Sequence, residues 1–223
     1  MDVFHIKTVD DMSAVLKHAR PLRSFHVGDT IHVNNKMEKG YSYTLEEPPG
    51  KNFAEGFTPY KTPGEILALG AFGGKYLNDC LLEFPKEWFI HALEEDTLSP
   101  GKTDIDKNFF KIDSRLPLSA WRKAGWVPKL GIKGNRSKTV RKTKRNTILA
   151  DPAKNPDIRG WFQWYCRYWI GRRIPELDAI QIQRWKNFRR HFFAVKKACP
   201  EKDLTCRPRQ RQALLHWGWN YTI

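Results

Sequence analysis

The stretch Gly160–Arg173, GWFQWYCRYWIGRR, constrains the fold more than any other part of the chain. It holds three Trp, two Tyr and one Phe beside three Arg, and it contains no acidic residue. At 100° per residue, the rings cover a wide arc of one helix and leave only Gln163 and Arg167 on a polar stripe. Rings on so wide an arc need neighbours on several sides. The stretch therefore predicts a core helix in a mainly α-helical domain.

The arginines in and beside this helix suggest a different environment. They lie at the ends of the predicted helix or on its polar stripe, and they are Arg159, Arg167, Arg172 and Arg173. Guanidinium groups at such positions can reach solvent or bind phosphate. We therefore expect buried rings and accessible arginines.

The chain carries a formal net charge of +15, and two segments hold the whole excess. Residues 1–128 contain 16 Lys and Arg against 18 Asp and Glu. Residues 129–147 contain eight basic residues and no acid, and residues 158–223 contain 14 basic residues against four acids. Such one-sided charge concentrates a polyanion at the surface and speeds its encounter. The distribution predicts a nucleic-acid partner, with an acidic protein partner as the alternative.

Composition narrows the class of protein. A chain of 223 residues with 40% hydrophobic residues can bury a core, while 28% charged residues and the lack of a long apolar run argue against a membrane span. The N-terminus has no uninterrupted apolar core, so we expect no secretory signal and an intracellular location, cytoplasmic or nuclear. The four cysteines, which we expect to be reduced thiols, are Cys80, Cys166, Cys199 and Cys206.

Local signals divide the chain into four segments. Residues 1–60 are predicted to be largely irregular, with an amphipathic stretch at Val9–Arg20 and a short strand at Thr30–Val33. Residues 61–128 are predicted to be helical, with Thr62 as a cap and Pro63 in the first turn. Further helices are expected near Pro85 and over LSAWRKAGW. Residues 129–150 are Gly-, Lys- and Arg-rich and predict a basic flexible loop, so residues 61–223 would form one folded unit around it.

The segment 151–223 predicts three helices, at Asp157–Ile170, Pro175–Ala198 and Pro208–Trp217, joined by short connections. The second has a basic face, made of Arg184, Lys186, Arg190 and Lys197 with His191, and no acid follows Asp178 on that face. The usual helical pairs of opposite charge are therefore missing. A one-sign stripe on a rigid helix is typical of phosphate binding, although a solvated face is the alternative. Arg189 falls among apolar positions, and we expect it to pair with Asp178 or another acid.

The start of the third helix carries Arg207, Arg209 and Arg211, where the helix dipole disfavours cations. Two interpretations stand equally. A phosphate bound at this helix start would offset the cost, or acids of the N-terminal half would pair with the arginines.

Motifs for catalysis or metal binding are weak. The spacing of Cys199 and Cys206 differs from that of structural zinc sites, no known nucleotide-binding or protease motif occurs, and we expect no metal and no cofactor. The Gly pair of LGAFGGKY could cradle phosphate, but such pairs usually form turns. Spacing does not identify catalytic carboxylates. The candidates are Asp79, Glu83, Glu176 and Asp178, of which Glu176 and Asp178 also suit a helix cap.

Several segments together resemble an uncharacterised family of microbial and large-virus genomes. They are LGAFGGKYLNDC, EFPKEWF, PLSAWRKAGW, RGWFQWYCRYWIGRR, QIQRWKNFRRH and DLTCRPRQRQALLHW. The similarity covers residues 57–128 and 156–218, and it implies a coherent domain rather than a particular activity. In those relatives the GW of the short third helix runs almost directly into the RGWFQWYCRY block. The resemblance therefore implies that residues 129–150 are an insertion.

The sequence predicts a mainly α-helical, nucleic-acid-binding protein, with DNA as a more probable partner than RNA. Alternative functions are an enzyme that modifies or repairs nucleic acid, with Asp79, Asp178 or Glu176 in a basic cleft, and a basic protein-interaction module. The expected phosphate contacts are Arg172, Arg173, Arg184, Lys186, Arg190, Arg207, Arg209 and Arg211, together with Lys142, Lys144 and Arg145 of the basic loop.

Overall fold

Helices form most of the regular structure. The computed structural model describes residues 3–128 and 143–223. Within these ranges the helices are α1 (Val9–Leu16), α2 (Pro63–Ala68), α3 (Lys86–Glu94), α4 (Leu118–Lys123), α5 (Lys144–Leu149), α6 (Trp161–Trp169), α7 (Pro175–Ala198) and α8 (Pro208–His216), and the strands are β1 (Thr30–Asn34) and β2 (Lys39–Thr44). The structure is thus helix-rich, as expected, with one β-hairpin added. None of the helices in these two ranges is long and apolar enough to cross a membrane.

Helix starts follow the local sequence closely. The Thr62 hydroxyl accepts a hydrogen bond from the Glu65 N–H, and the Glu65 carboxylate accepts one from the Thr62 N–H, so a capping box begins α2. Proline occupies the first turn of α7 and α8, whose starts are the predicted ones. Helix α6 begins later than predicted because Gly160 adopts φ 90°, ψ −158°, a conformation outside the helical region.

The N-terminal segment is more regular than expected and belongs to the core. Strands β1 and β2 pair antiparallel, with Thr30 opposite Thr44, and the register shifts between Val33 and Asn34. Buried side chains of residues 3–60, such as Met12, pack in the same hydrophobic cluster as the rings of α6. The hairpin also carries Glu38 and Tyr43, which reach the centre of the molecule.

The prediction of a flexible loop over residues 129–150 is wrong for residues 144–149. Residues 129–142 lie outside the described residues, but Lys144–Leu149 form α5, and the Thr143 hydroxyl caps it by accepting the Asn146 N–H. Ile148 and Leu149 are buried. Two adjacent apolar residues show no helical period, so only their packing against the rest of the protein reveals the helix.

The rings of α6 lie in the core, as predicted. Trp161, Trp164, Tyr165 and Tyr168 are buried. The Phe57 ring, which comes from the N-terminal segment, meets Trp164, Tyr165, Tyr168 and Trp185 edge-on, with centroids 5.1–5.7 Å apart. Such edge-to-face pairs add to the free energy gained by burying the rings.

The turn after α6 depends on a glycine. Gly171 adopts φ +118°, and a Cβ at this position would clash with the Glu47 carbonyl oxygen. The Gly171 carbonyl oxygen accepts the N–H groups of Glu46 and Glu47. This close approach ties the N-terminal segment to the end of α6 and places Arg172 beneath the hairpin.

Cys199 and Cys206 form a disulfide between the end of α7 and the start of α8. The expectation of four reduced thiols is therefore wrong for this pair, whereas Cys80 and Cys166 are free and buried. Sequence spacing alone does not show that the chain between two helices turns back to bring these cysteines together.

Reduction of this disulfide is expected to lower the free energy of unfolding by about 2 kcal/mol, because it releases a short loop in the unfolded chain. Urea titrations with and without dithiothreitol measure the change. A Cys199→Ser/Cys206→Ser variant should not respond to the reductant. Equal curves for the oxidised and reduced wild type would contradict the expected stabilisation.

Candidate functional site

Two of the predicted phosphate contacts are buried inside the protein. Arg172 has 1% of its surface exposed and Arg211 has 0%. The Asp157 carboxylate accepts hydrogen bonds from both Nη atoms of Arg172, at 2.8 and 2.6 Å. Arg211 donates to three main-chain carbonyl oxygens, those of Asp203, Cys206 and Tyr221. The prediction of surface contacts is wrong for both, because acceptor groups outside α6 and α8, which a helical wheel does not contain, hold them inside.

Arg167, expected on a polar stripe, is also fully buried. Its Nε atom donates to Glu83 at 2.6 Å, its Nη2 atom to Glu38 at 2.6 Å and its Nη1 atom to Asp157 at 3.1 Å. We call Glu38, Glu83, Asp157, Arg167 and Arg172 the buried ionic cluster. Burial lowers the pKa of Arg167, but the three carboxylates outweigh it and hold the pKa well above its usual range. Arg167 is therefore charged and fully paired inside the protein, where it is not available to a ligand at the surface.

Asp79, a candidate catalytic residue, holds Arg159 in place. Its Oδ2 atom accepts a hydrogen bond from Arg159 Nη2 at 2.7 Å and one from the Lys36 N–H at 2.8 Å. Arg159 Nη2 also donates to Asn35 Oδ1. Arg159, expected to be accessible, is therefore held with Asp79 in a largely buried ion pair.

Asp178, a second candidate, caps α7. Its carboxylate accepts the Ile174 N–H at 2.7 Å and the Trp164 indole N–H at 2.7 Å. The predicted pair with Arg189 is wrong, because Arg189 is exposed. Glu176, the third candidate, is exposed in the first turn of α7, where the helix dipole stabilises a carboxylate.

Several other residues predicted to bind phosphate do not share one site. Arg173 donates to the Tyr168 carbonyl oxygen at 2.6 Å and lies over the Tyr168 ring, and Lys186 donates to the Glu55 carbonyl oxygen at 3.2 Å. Arg207 and Arg209 are exposed at the start of α8. Lys142 lies outside the described residues, as does the side chain of Lys144.

Arg145, Arg184 and Arg190 do come together. They line a pocket of about 460 Å³ between α5, α7 and α8, which we call the basic pocket. Arg115 also lines it. The other polar side chains in its wall are Ser114, Asn187, His191 and His216, and the rings are Phe72, Trp121, Trp126, Trp161, Phe162, Phe188 and Trp217. No acid is among its described lining residues.

The four arginines of the basic pocket have no carboxylate partner among the described residues. Arg184 donates to Gln181 Oε1 at 2.7 Å. Burial and the positive charge of Arg145 lower the pKa of Arg184 to about 10. An anion in the pocket would offset the effects of burial and of the Arg145 charge on Arg184, since it would supply the missing counter-charge.

The rings beside these arginines form a continuous run from the core to the pocket. Tyr165 stacks on Trp161, Trp161 on Trp217 and Trp217 on Phe188, with centroids 5.2, 4.7 and 4.7 Å apart. The His191 ring is tilted against that of Phe188, with centroids 4.4 Å apart. The run places Phe188 and His191 in the pocket wall on a fully packed support.

His216 lies in the pocket wall as a neutral ring. Its Nε2 atom accepts hydrogen bonds from the Phe72 N–H at 3.1 Å and from Gln212 Nε2 at 3.0 Å. The Phe110 N–H donates to Gln212 Oε1, which fixes the orientation of that amide. His216 therefore carries its proton on Nδ1, 3.3 Å from Ser114 Oγ. Burial, with a smaller contribution from Arg115, lowers the pKa of His216 to about 3.

A second cavity, of about 520 Å³, shares Arg115, Leu116 and Trp121 with the basic pocket. Asp79 and Asp113 line it together with Lys36, Lys75 and Arg159. Its charge is therefore mixed, in contrast to that of the basic pocket. Among the described residues, no group of three or more His, Cys, Asp or Glu side chains is placed to hold a metal ion.

The sequence pattern gives no functional signal for the residues that complete the basic pocket. Arg115, Ser114 and Trp126 come from the segment around α4, and His216 comes from α8. The one usable signal was on α7, where positions 184, 187, 188 and 191 follow the i, i+3, i+4, i+7 spacing of a single helix face.

Comparison with known proteins adds no further assignment. The chain matches no protein-family model, no curated protein and no solved structure.

Proposed function

We propose that the protein binds nucleic acid, DNA in the first instance, through the arginines of the basic pocket. The supporting observation is a contrast within the structure. Arg159, Arg167 and Arg172 each pair with a buried carboxylate, whereas Arg145, Arg184 and Arg190 share one pocket with no acid in its described wall. Unpaired guanidinium groups on packed helices match phosphate in charge and in hydrogen-bonding geometry.

The basic surface extends from the pocket along α8. Ala213 lines the pocket, and the exposed Arg209 precedes it by four residues, so that both lie on the same side of the helix. Arg207 is the N-cap residue of α8, two residues before Arg209. A strand whose phosphates bind Arg184 and Arg190 could therefore continue past Arg209. This arrangement supports backbone contacts with little base-pair reading.

An Arg184→Ala/Arg190→Ala variant is expected to bind a labelled oligonucleotide at least tenfold more weakly than the wild type. The slope of log K against log salt should become shallower by about 1 to 2, because each lost phosphate contact contributes about 0.7 to 0.9. Fluorescence anisotropy measures both quantities on single-stranded DNA, duplex DNA and RNA. RNA is included because the proposed arginine–phosphate contacts do not distinguish ribose from deoxyribose.

The matched control is Lys186→Ala/Arg189→Ala, which removes the same charge from the same helix outside the pocket. It should change the affinity by less than about threefold, as expected for loss of net charge alone. Equal losses in the two variants would contradict binding at the pocket. Equal binding of polyglutamate and DNA would favour an acidic protein partner, and no binding at low salt would end the proposal.

A further inference from the structure

The basic pocket offers rings as well as charge. Its wall contains Phe188 and His191 at the outer end of the aromatic run. Trp126, from the segment that follows α4, also lines it. Phe188, His191 and Trp126 are half-buried, so part of each ring is accessible. Simple phosphate binding needs no rings. Aromatic side chains beside a phosphate site are typical of proteins that stack unpaired bases.

The charges are arranged from the interior to the rim. Arg184 is half-buried, with its guanidinium 5.5 Å from the Trp217 ring, whereas Arg145 and Arg190 are exposed. A ligand with a flat apolar ring and an attached phosphate matches this gradient. The ring would enter among the aromatic side chains while the phosphate stays with the exposed arginines.

Ser114 supplies a polar contact inside the pocket. Its Oγ atom accepts the Nδ1 proton of the neutral His216, which leaves the Ser114 hydroxyl proton free to donate. Asn187 adds an amide at the exposed side. Such groups can hydrogen-bond the edge of a base, which a base in a duplex does not present to a pocket.

We infer that the basic pocket receives one unpaired nucleobase of a nucleic-acid strand, held among the rings of Phe188, His191 and Trp126, with its flanking phosphates on Arg145, Arg184 and Arg190. This inference rests on the proposed function and adds the form of the ligand. A volume of about 460 Å³ lies within the range of single small-ligand pockets and leaves room for one base.

The test compares a single-stranded oligonucleotide with an otherwise identical strand that has abasic sites at its central positions. Both strands carry the same phosphates, so any difference measures the bases. The wild type should bind the complete strand at least tenfold more tightly, within the range known for stacking of a base on an aromatic side chain. Phe188→Leu should reduce the ratio to below about threefold, while the salt dependence remains.

Phe193→Leu is the matched control, because Phe193 lies on the same helix, is 57% exposed and does not line the pocket. It should retain the wild-type ratio. Photocrosslinking of a strand with one 5-iodouracil to the wild type is independent of any variant, and the adducts should map to the rings of the basic pocket.

The outcomes separate the inference from the proposed function. Equal, salt-sensitive binding of the two strands by the wild type would overturn the stacked base and leave phosphate binding intact. Binding of neither strand would remove both. The placement of the base would be overturned if a folded Phe188→Leu protein kept the preference for the complete strand. Adducts confined to residues outside the pocket would overturn it as well.

Discussion

An Asp157→Asn variant is expected to lower the free energy of unfolding by about 3–5 kcal/mol, the usual cost of breaking a buried ion pair by removing one charge. Asp157 is fully buried and accepts hydrogen bonds from Arg167 and from both Nη atoms of Arg172. An amide has nearly the same shape, but its NH₂ group would face a guanidinium donor. Among the described residues, Arg172 would also have no carboxylate in contact, because Glu38 and Glu83 bind Arg167.

Urea denaturation at neutral pH measures this change, and an unchanged m-value would show that the unfolding transition still exposes the same surface. Asp106→Asn is the control: Asp106 is exposed and outside the buried ionic cluster, so its loss should cost less than about 0.5 kcal/mol. Arg172→Met added to Asp157→Asn should recover part of the loss, since an apolar side chain removes the unpaired charge. A loss below about 1 kcal/mol for Asp157→Asn alone would contradict the assigned role.

Acid is expected to destabilise the protein through His216. The folded pKa of His216 is about 3, below the ordinary value of 6.5, because the ring is buried and Arg115 is nearby. Between about pH 6.5 and pH 3 the unfolded chain therefore binds a proton that the folded protein excludes. Stability falls as the pH decreases through this window, by up to about 1.4 kcal/mol per pH unit.

The measurement is urea denaturation of the wild type and of His216→Gln at pH 6, 5 and 4. The wild type should lose about 2 kcal/mol more than the variant across this range, whatever their difference at pH 6. His18→Gln replaces an exposed histidine and should keep the wild-type dependence. Parallel curves for the wild type and His216→Gln would show that His216 does not exclude a proton in the folded state.

Local sequence signals predicted the helices well where their causes are local. A capping side chain such as Thr62 and the prolines at 63, 175 and 208 act within one turn, so the helix starts follow directly from the sequence. The apolar arc of α6 likewise predicted buried rings, because burial of so much apolar surface lowers the free energy more than exposure to water would. Helix α5 escaped prediction because its only apolar pair shows no helical period.

Local sequence patterns predict the helical framework and the buried rings, and the composition sets the large positive charge. Contacts between distant segments bury some of the arginines and leave others available. Arg167 finds carboxylates 84 and 129 positions away along the chain, at Glu83 and Glu38. Arg184 and Arg145, from α7 and α5, meet with no acid in the described wall of their pocket. Ion pairing depends on distances of a few ångströms between remote segments, and periodicity along one helix contains no information about them.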